Sequence, residues 1–398
     1  MTHPSSRDTA QARLLLLAAI LFVSYLCIGL ALPVVPVFVT GRLGLGNGWA
    51  GLATGIAFLS TILSRGAAGG LADRRGGKAA VMRGLVFYIG GGLASLAAGL
   101  LADSPGLAYA VLLAGRLVLG LGESLVAVGV ISWGIALVGP ARSGRVLALV
   151  GAALYGALAV GGPLGLALFH RAGFAATMGA GGLLPALGLL AVWPLAAVVA
   201  PRGAARASLG AVLGRIWRHG AIVCLQGIGF AAIGAFFALH FLANRWAHAG
   251  LGLTAFGAGF VLVRVLFGHL PDRVGGLAVA TASLAVETLG QLLVWQADVP
   301  ATALAGAFLT GLGCSLVFPA MGREVVQRVA PQLRGTALGA FSAFQDLAYG
   351  LTGPLAGLLA DHLGYRAVFV IGAMAAALGV ATALALRRAR PATGGSVA

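Results

Sequence analysis

Twelve apolar runs divide this chain, at roughly 14–39, 48–71, 79–102, 107–137, 144–169, 173–200, 219–243, 251–270, 277–297, 300–327, 335–360 and 365–387. Each meets the length of about 20 residues that a helix needs to cross the hydrocarbon core of a bilayer. The breaks between them carry charges or turn formers, such as Asp103-Ser104-Pro105-Gly106, Gly139-Pro140 and Ala330-Pro331. An all-α membrane protein with twelve transmembrane helices follows. The first run is too long for the core of a signal peptide and has no small-residue cleavage site after it, so it reads as a retained span.

Composition agrees. Only 9% of residues are charged and 60% are hydrophobic, with mean hydropathy +1.00, whereas soluble domains carry about 25% charged residues. The net charge of +16 does not indicate a nucleic-acid partner, because the basic residues sit in short turns between apolar runs, as the positive-inside rule requires. With both termini in the cytoplasm, 19 of the 26 basic residues are cytoplasmic and four (Arg42, Arg171, Arg245, Arg366) lie outside. The other three, Arg65, Arg116 and Arg264, fall within the membrane. Cys27, Cys224 and Cys314 lie singly in apolar runs, which indicates packing and no disulfide or metal site.

The chain repeats itself. Arg65, Gly69, Leu71, Asp73, Arg74, Gly76 and Gly77 recur in order as Arg264, Gly268, Leu270, Asp272, Arg273, Gly275 and Gly276, an offset of 199. At an offset of 191, Gly120-Leu121-Gly122-x-Ser124 recurs as Gly311-Leu312-Gly313-x-Ser315, and Gly162-Pro163-Leu164 as Gly353-Pro354-Leu355. A repeat at half the chain length implies two similar bundles with a functional axis between them. The boundaries that follow are a six-helix bundle over 1–200, a cytoplasmic basic linker over 201–218, and a second six-helix bundle over 219–398. The linker's Arg215-Ile216-Trp217-Arg218-His219 reads as an amphipathic segment resting on anionic headgroups.

The stretch Gly69-x-x-x-Asp73-Arg74-x-Gly76-Gly77-Lys78 resembles the loop 2–3 signature of the major facilitator superfamily of secondary transporters, with Gly77 where a second basic residue is usual. The likeness extends over residues 14 to 388, and the branch most resembled is the arabinose-efflux-type permeases, drug and metabolite:proton antiporters of the bacterial inner membrane. It implies a monomer that moves a small organic molecule across the bilayer by alternating access. It implies no cofactor beyond an ion gradient, of protons by the same resemblance, and no nucleic-acid partner. Uptake of a sugar or metabolite by proton symport is the alternative.

The resemblance also distributes roles. Asp73 would dock on the start of span eleven near Gly335 and Thr336, and Asp272 on the start of span five near Gly144 and Arg145, when the cytoplasmic side is closed; Arg74, Lys78 and Arg273 complete this gate motif. Gly162, Pro163, Gly353 and Pro354 would thin and bend spans five and eleven. Span five resembles the antiporter motif, which favours export, but has Leu166 and Ala167 where that motif has a glycine pair. Arg116-x-x-x-Gly120-x-Gly122 resembles the span-four motif whose arginine is implicated in proton coupling.

Charge at bilayer depth is costly unless paired or wetted, so each such residue asks for a role. Arg65 and Glu123 lie at similar depth, roughly 10–12 Å from the cytoplasmic ends at 1.5 Å per residue, and form a candidate pair. Arg264 and Glu287 form a second. Asp346, near mid-membrane, faces Arg65 or Arg116 across the axis. Tyr25, Gln226, His240 and Gln345 are candidates for the substrate cavity, since the family lines it with spans one, four, seven, ten and eleven. A neutral or amphipathic substrate fits so few exposed charges. An ATP-driven pump is excluded by the lack of G-x-x-x-x-G-K-[ST], and a membrane-embedded enzyme is disfavoured by the lack of H-E-x-x-H or G-x-S-x-G.

Overall fold

A computed structural model describes residues 6–139, 142–197, 209–330 and 333–389. All its regular elements are helices: α1 (Ser6–Gly41), α2 (Asn47–Arg75), α3 (Gly77–Leu100), α4 (Pro105–Val138), α5 (Ser143–Val192), α6 (Leu209–Ala243), α7 (Leu251–Phe267), α8 (Leu270–Val274), α9 (Gly276–Gln296), α10 (Pro300–Gln327), α11 (Arg334–Leu363) and α12 (Tyr365–Arg388). Among the described residues, nine helices are long and apolar enough to cross a membrane. One of these, α5, passes through Gly173 at φ 78° and ψ 178°, a conformation that breaks the helix, so it is two limbs in series. With α7–α8 and α11 added, each predicted apolar run overlaps a helix; the run over 173–200 is helical to Val192, and its last three residues lie outside the described residues. Large apolar side chains such as Leu63, Leu190 and Val265 stand more than 70% exposed, as lipid-facing residues do.

Two glycines make each elbow of the repeated motif. Gly76 and Gly275 take φ of 83° and 97°, which L side chains avoid. The next residue in each copy lies against a neighbouring backbone: a Cβ on Gly77 would strike the carbonyl of Gly129, and one on Gly276 the carbonyl of Ala320. The elbow is therefore a positive-φ turn followed by a close helix crossing, and a basic residue in the Gly77 position would not fit.

The first five helices pack among themselves, as do α6 to α12, and the two halves meet along α2 with α11, α5 with α7, and α1 with α6. At the end opposite the arginine-rich turns, this seam is closed backbone to backbone. A Cβ on Gly51 would land on the Gly353 carbonyl, one on Gly55 on the Gly350 carbonyl, and one on Gly357 on the Asn47 carbonyl. On the other side, Gly162 and Gly250 press against Leu253 and Pro163, and Thr254 Oγ1 donates to the Ala159 carbonyl at 3.0 Å. Small residues are what let helices approach this closely in lipid. At the arginine-rich end the seam is parted: Cβ atoms on Gly66, Gly69, Gly151 and Gly339 would meet nothing within 4 Å. Gly51→Val should therefore hold the closed end apart. Cysteine probes placed along the first two turns of α2 should label at least tenfold faster than in the parent, and unchanged labelling would count against this seam as the closure.

Two expectations change. Helix α6 begins at Leu209, so the second part of the 201–218 linker is the continuation of a spanning helix; residues 201–208 lie outside the described residues. Nor does this stretch merely rest on headgroups, because Val212 and Ile216 are buried in a cluster with Leu277, Val325 and Phe341. One helical face is anchored in the second half, while Trp217 stays exposed on the other.

Candidate functional site

Helix α2 carries Arg65 to the level where the halves begin to diverge. Its Nε donates to Asp346 Oδ2 at 2.6 Å, and Nη2 reaches the same oxygen at 2.5 Å. The carboxylate is 8% exposed and the guanidinium 27%. This ion pair joins the two halves, so the pairing of Arg65 with Glu123 inside the first half does not occur.

Glu123 instead takes the phenol of Tyr25 from α1, which donates to Oε1 at 2.9 Å. The Thr61 hydroxyl lies 3.3 Å from Oε2 and 3.0 Å from the carbonyls of Ala57 and Gly120. That single hydroxyl proton has three acceptors, and the hydroxyl oxygen is placed to accept from the carboxyl when the latter is protonated. Tyr25 is thus a partner of Glu123. Arg116, two helical turns before it on α4, is 1% exposed; its Nε donates to the Ala53 carbonyl at 3.2 Å, and Nη2 has no partner among the described residues.

Arg264 and Glu287 do not meet. Helix α9 packs on α10 and α12, whereas α7 packs on α10 and α5. Glu287 is fully buried; it lies against Gly229, with the Cys314 thiol as its polar neighbour. Arg264 lies over the Phe260 ring, 5.2 Å from its centroid. Equal depth fixed one coordinate of these side chains, and helix rotation put them on different faces.

Gln226 of α6 and Gln345 of α11 do meet, within the second half, with Gln345 Nε2 3.5 Å from Gln226 Oε1 and donating to the Tyr349 hydroxyl at 2.8 Å. Tyr349 closes against Phe58 and Phe230, at centroid distances of 5.2 and 4.7 Å. His240 is not part of this group. It is 2% exposed near the closed end, edge-on to Trp246 and Phe369, with Asn244 Nδ2 3.3 Å from Nδ1. Tyr349, Tyr155 and Phe260 were missed because aromatics in apolar helices carry no signal of their own.

Gate residues fall into two groups. Asp73 and Arg74 are exposed, and Asp73 makes no hydrogen bond or ion pair among the described residues. Asp272 pairs with Arg323 of α10 at 3.2 Å, within its own half. Neither aspartate is docked on the other half, as the parted seam at this end requires. Arg273 is exposed, while Lys78 Nζ donates to the carbonyls of Trp193 and Leu195 at 2.8 and 2.6 Å. Gly162, Pro163, Gly353 and Pro354 all lie at the closed seam.

At that closed end the structure holds a latch that the sequence did not suggest. Asp361, at the last turn of α11, accepts from the backbone N–H of Asn47 at 2.9 Å, from Asn47 Nδ2 at 2.7 Å and from the N–H of Gly48 at 3.1 Å. Tyr365 donates to Asn47 Oδ1 at 2.9 Å. A carboxylate on free N–H groups at the start of α2 uses both the orphan donors and the positive end of the helix. Slight burial works to raise the pKa of Asp361, but these donors outweigh it and hold the carboxyl below its usual range. A lowered folded value means the contact is complete above the ordinary carboxylate pKa of about 3.9 and is lost as pH falls through the lowered value. Asp361→Asn should weaken the latch by about 1 kcal/mol, seen as roughly fivefold faster hydrogen exchange in the first turn of α2 at pH 7. The two proteins should converge at strongly acidic pH; a difference that persists there would refute the carboxylate's role.

Comparison with known proteins places these features. The family model of the Major Facilitator Superfamily matches residues 220–398. An uncharacterised MFS-type transporter of Salmonella typhimurium is 44% identical over 372 residues, covering 94% of this chain and 96% of that protein. One of Burkholderia mallei is 42% identical over 407 residues, covering 99% and 97%. In fold, the crystal structure of a bacterial homologue of the human lysosomal transporter Spinster, inward-facing and unoccupied, matches with a TM-score of 0.77 at 14% identity, over 99% of this chain and all of that one.

Proposed function

This chain belongs to the major facilitator superfamily, and from that premise we propose that it is a proton-coupled secondary transporter that exports a small organic molecule by alternating access. Its halves are the two repeats, its arginine-rich end is cytoplasmic, and the parted seam there makes this the cytoplasm-facing conformer. Rocking the halves the other way opens the glycine seam of α2 with α11, breaks the Asp361 latch, and brings Asp73 and Asp272 onto the starts of α11 and α5.

The observation that carries the reading is the Arg65–Asp346 pair between the halves. A carboxylate in a low-dielectric interface keeps its charge while a guanidinium touches it and takes a proton when that contact lengthens. Motion of the halves is then motion of a proton, exchanged with the aqueous side to which Asp346 is open. Glu123 supplies a second exchangeable carboxyl inside the first half. Tyr25 holds it by donation, and Thr61 accepts from it when protonated.

Export is supported by the span-five resemblance. The observation favouring uptake by symport is Leu166, buried at 4% against Phe38 and Phe174, where the exporter motif has glycine. Reconstituted protein separates the two readings. With a substrate drawn from a growth screen of an overexpressing strain, an antiporter accumulates it in liposomes that are acidic inside, and a symporter in liposomes that are alkaline inside. No accumulation under either gradient would overturn proton coupling.

A further inference from the structure

The repeat aligns two sites that differ in one decisive residue. An offset of 199 carries Arg65 to Arg264, and the offset of 191 found in spans five and eleven carries Tyr155 to Asp346. The positions of Arg65 of α2 and Asp346 of α11 therefore have counterparts in Arg264 of α7 and Tyr155 of α5, which share the Phe260 ring as a neighbour. In the first the guanidinium is neutralised. In the second, Tyr155 stacks on Phe260 at a centroid distance of 3.5 Å, Arg264 lies over the other partner of that stack, and no carboxylate takes the place of Asp346. Arg264 makes no ion pair among the described residues, and its buried Nε has no acceptor.

The surroundings suit a ligand more than a solvated charge. The Tyr155 hydroxyl adjoins Tyr349 and Gln345, and Gln345 adjoins Gln226. Phe58, Phe230 and Tyr349 line a small apolar cavity between the halves next to this group. A cation, several hydroxyl and amide groups and flat aromatic walls thus converge on the midline from α5, α6, α7 and α11. Arginine gives carboxylate a planar pair of donors, and the rings offer stacking surface.

We infer that Arg264 and Tyr155 form the anion-recognising end of the substrate site, and that the substrate is an organic monoanion, a carboxylate carried on a flat apolar or aromatic body. This rests on the transport reading above and narrows the earlier expectation of a neutral or amphipathic substrate. The duplicated geometry serves two ends: Asp346 completes one copy from within, and the substrate's own carboxylate completes the other.

Matched pairs of probes test it by isothermal titration on detergent-purified protein at pH 7: benzoate with benzamide, cinnamate with cinnamamide, and 1-naphthoate with 1-naphthamide. At least one carboxylate should bind, with its amide weaker by roughly 10- to 100-fold. Arg264→Gln should remove that preference. Tyr155→Asp, which supplies the missing internal acid, should do the same by a separate route, so misfolding of either variant leaves the other. Amides binding as well as acids, no carboxylate binding at millimolar concentration, or a preference that survives both substitutions would overturn the assignment. Any of these alongside intact gradient-driven flux would remove the substrate class and leave transport standing. Carboxylate binding without driven flux would do the reverse.

Discussion

Asp346→Asn will abolish accumulation driven by a pH gradient, by at least 100-fold, and will also destabilise the protein. The two effects have separate causes. A carboxamide at this position cannot take up and release a proton, so the halves would move without carrying one. Loss of the carboxylate also leaves Arg65 in a poorly solvated interface without a counter-charge, and breaking one side of a buried pair costs about 3–5 kcal/mol. Because the guanidinium is 27% exposed, water will recover part of this, and the lower figure is expected. The double replacement Arg65→Gln with Asp346→Asn separates the effects. It should return thermal stability to near the parent, since two neutral amides can bond each other, while driven flux stays lost. If the double variant regains driven flux, the pair is a static clasp between the halves.

Glu123→Gln will likewise remove driven flux, but with little loss of stability. The phenol of Tyr25 donates to Oε1 at 2.9 Å, and a glutamine carbonyl accepts that bond equally well. The amide N–H₂ can then donate to Thr61 or to the carbonyl of Gly120, which surround Oε2. A neutral isostere is therefore accommodated, and a melting temperature within a few degrees of the parent is expected. Substrate exchange between liposomes and medium without a gradient should persist, because that step needs rocking and no net proton transfer. Driven uptake at the parent rate would take Glu123 out of the coupling mechanism. Tyr25→Phe is the milder companion. It removes one donor from the charged form and should slow driven flux without abolishing it.

What the sequence disclosed and what it hid divide along a geometric line. Helix positions, the elbow glycines Gly76 and Gly275, and the close crossing at Gly353 were legible, because apolar length and small-residue runs act within one helix or between repeats. Burial was legible in part: Glu123 and Asp346 are buried, and Arg65 is partly buried against Asp346. Rotation about each helix axis was not. Arg264 and Glu287 share a depth yet face different neighbours, and Glu123 is met by Tyr25 where Arg65 was expected. The helix that carries His240 points to the central cavity, but the residue itself lies near the closed end, packed on Trp246 and Phe369. Tyr155 was the most accessible omission, since the same offset that links Gly162 to Gly353 links it to Asp346.

The lone lysine of the chain has a mechanical consequence. By tying the elbow after α2 to the carbonyls just beyond α5, Lys78 fastens one hairpin of the arginine-rich rim to the floor of its own bundle. The matching position in the other repeat is Leu277, which has no such tether, and there the helix is interrupted between α7 and α8. One rim is braced and its twin hangs by a joint, so as the transporter cycles the second should arrive later and release sooner.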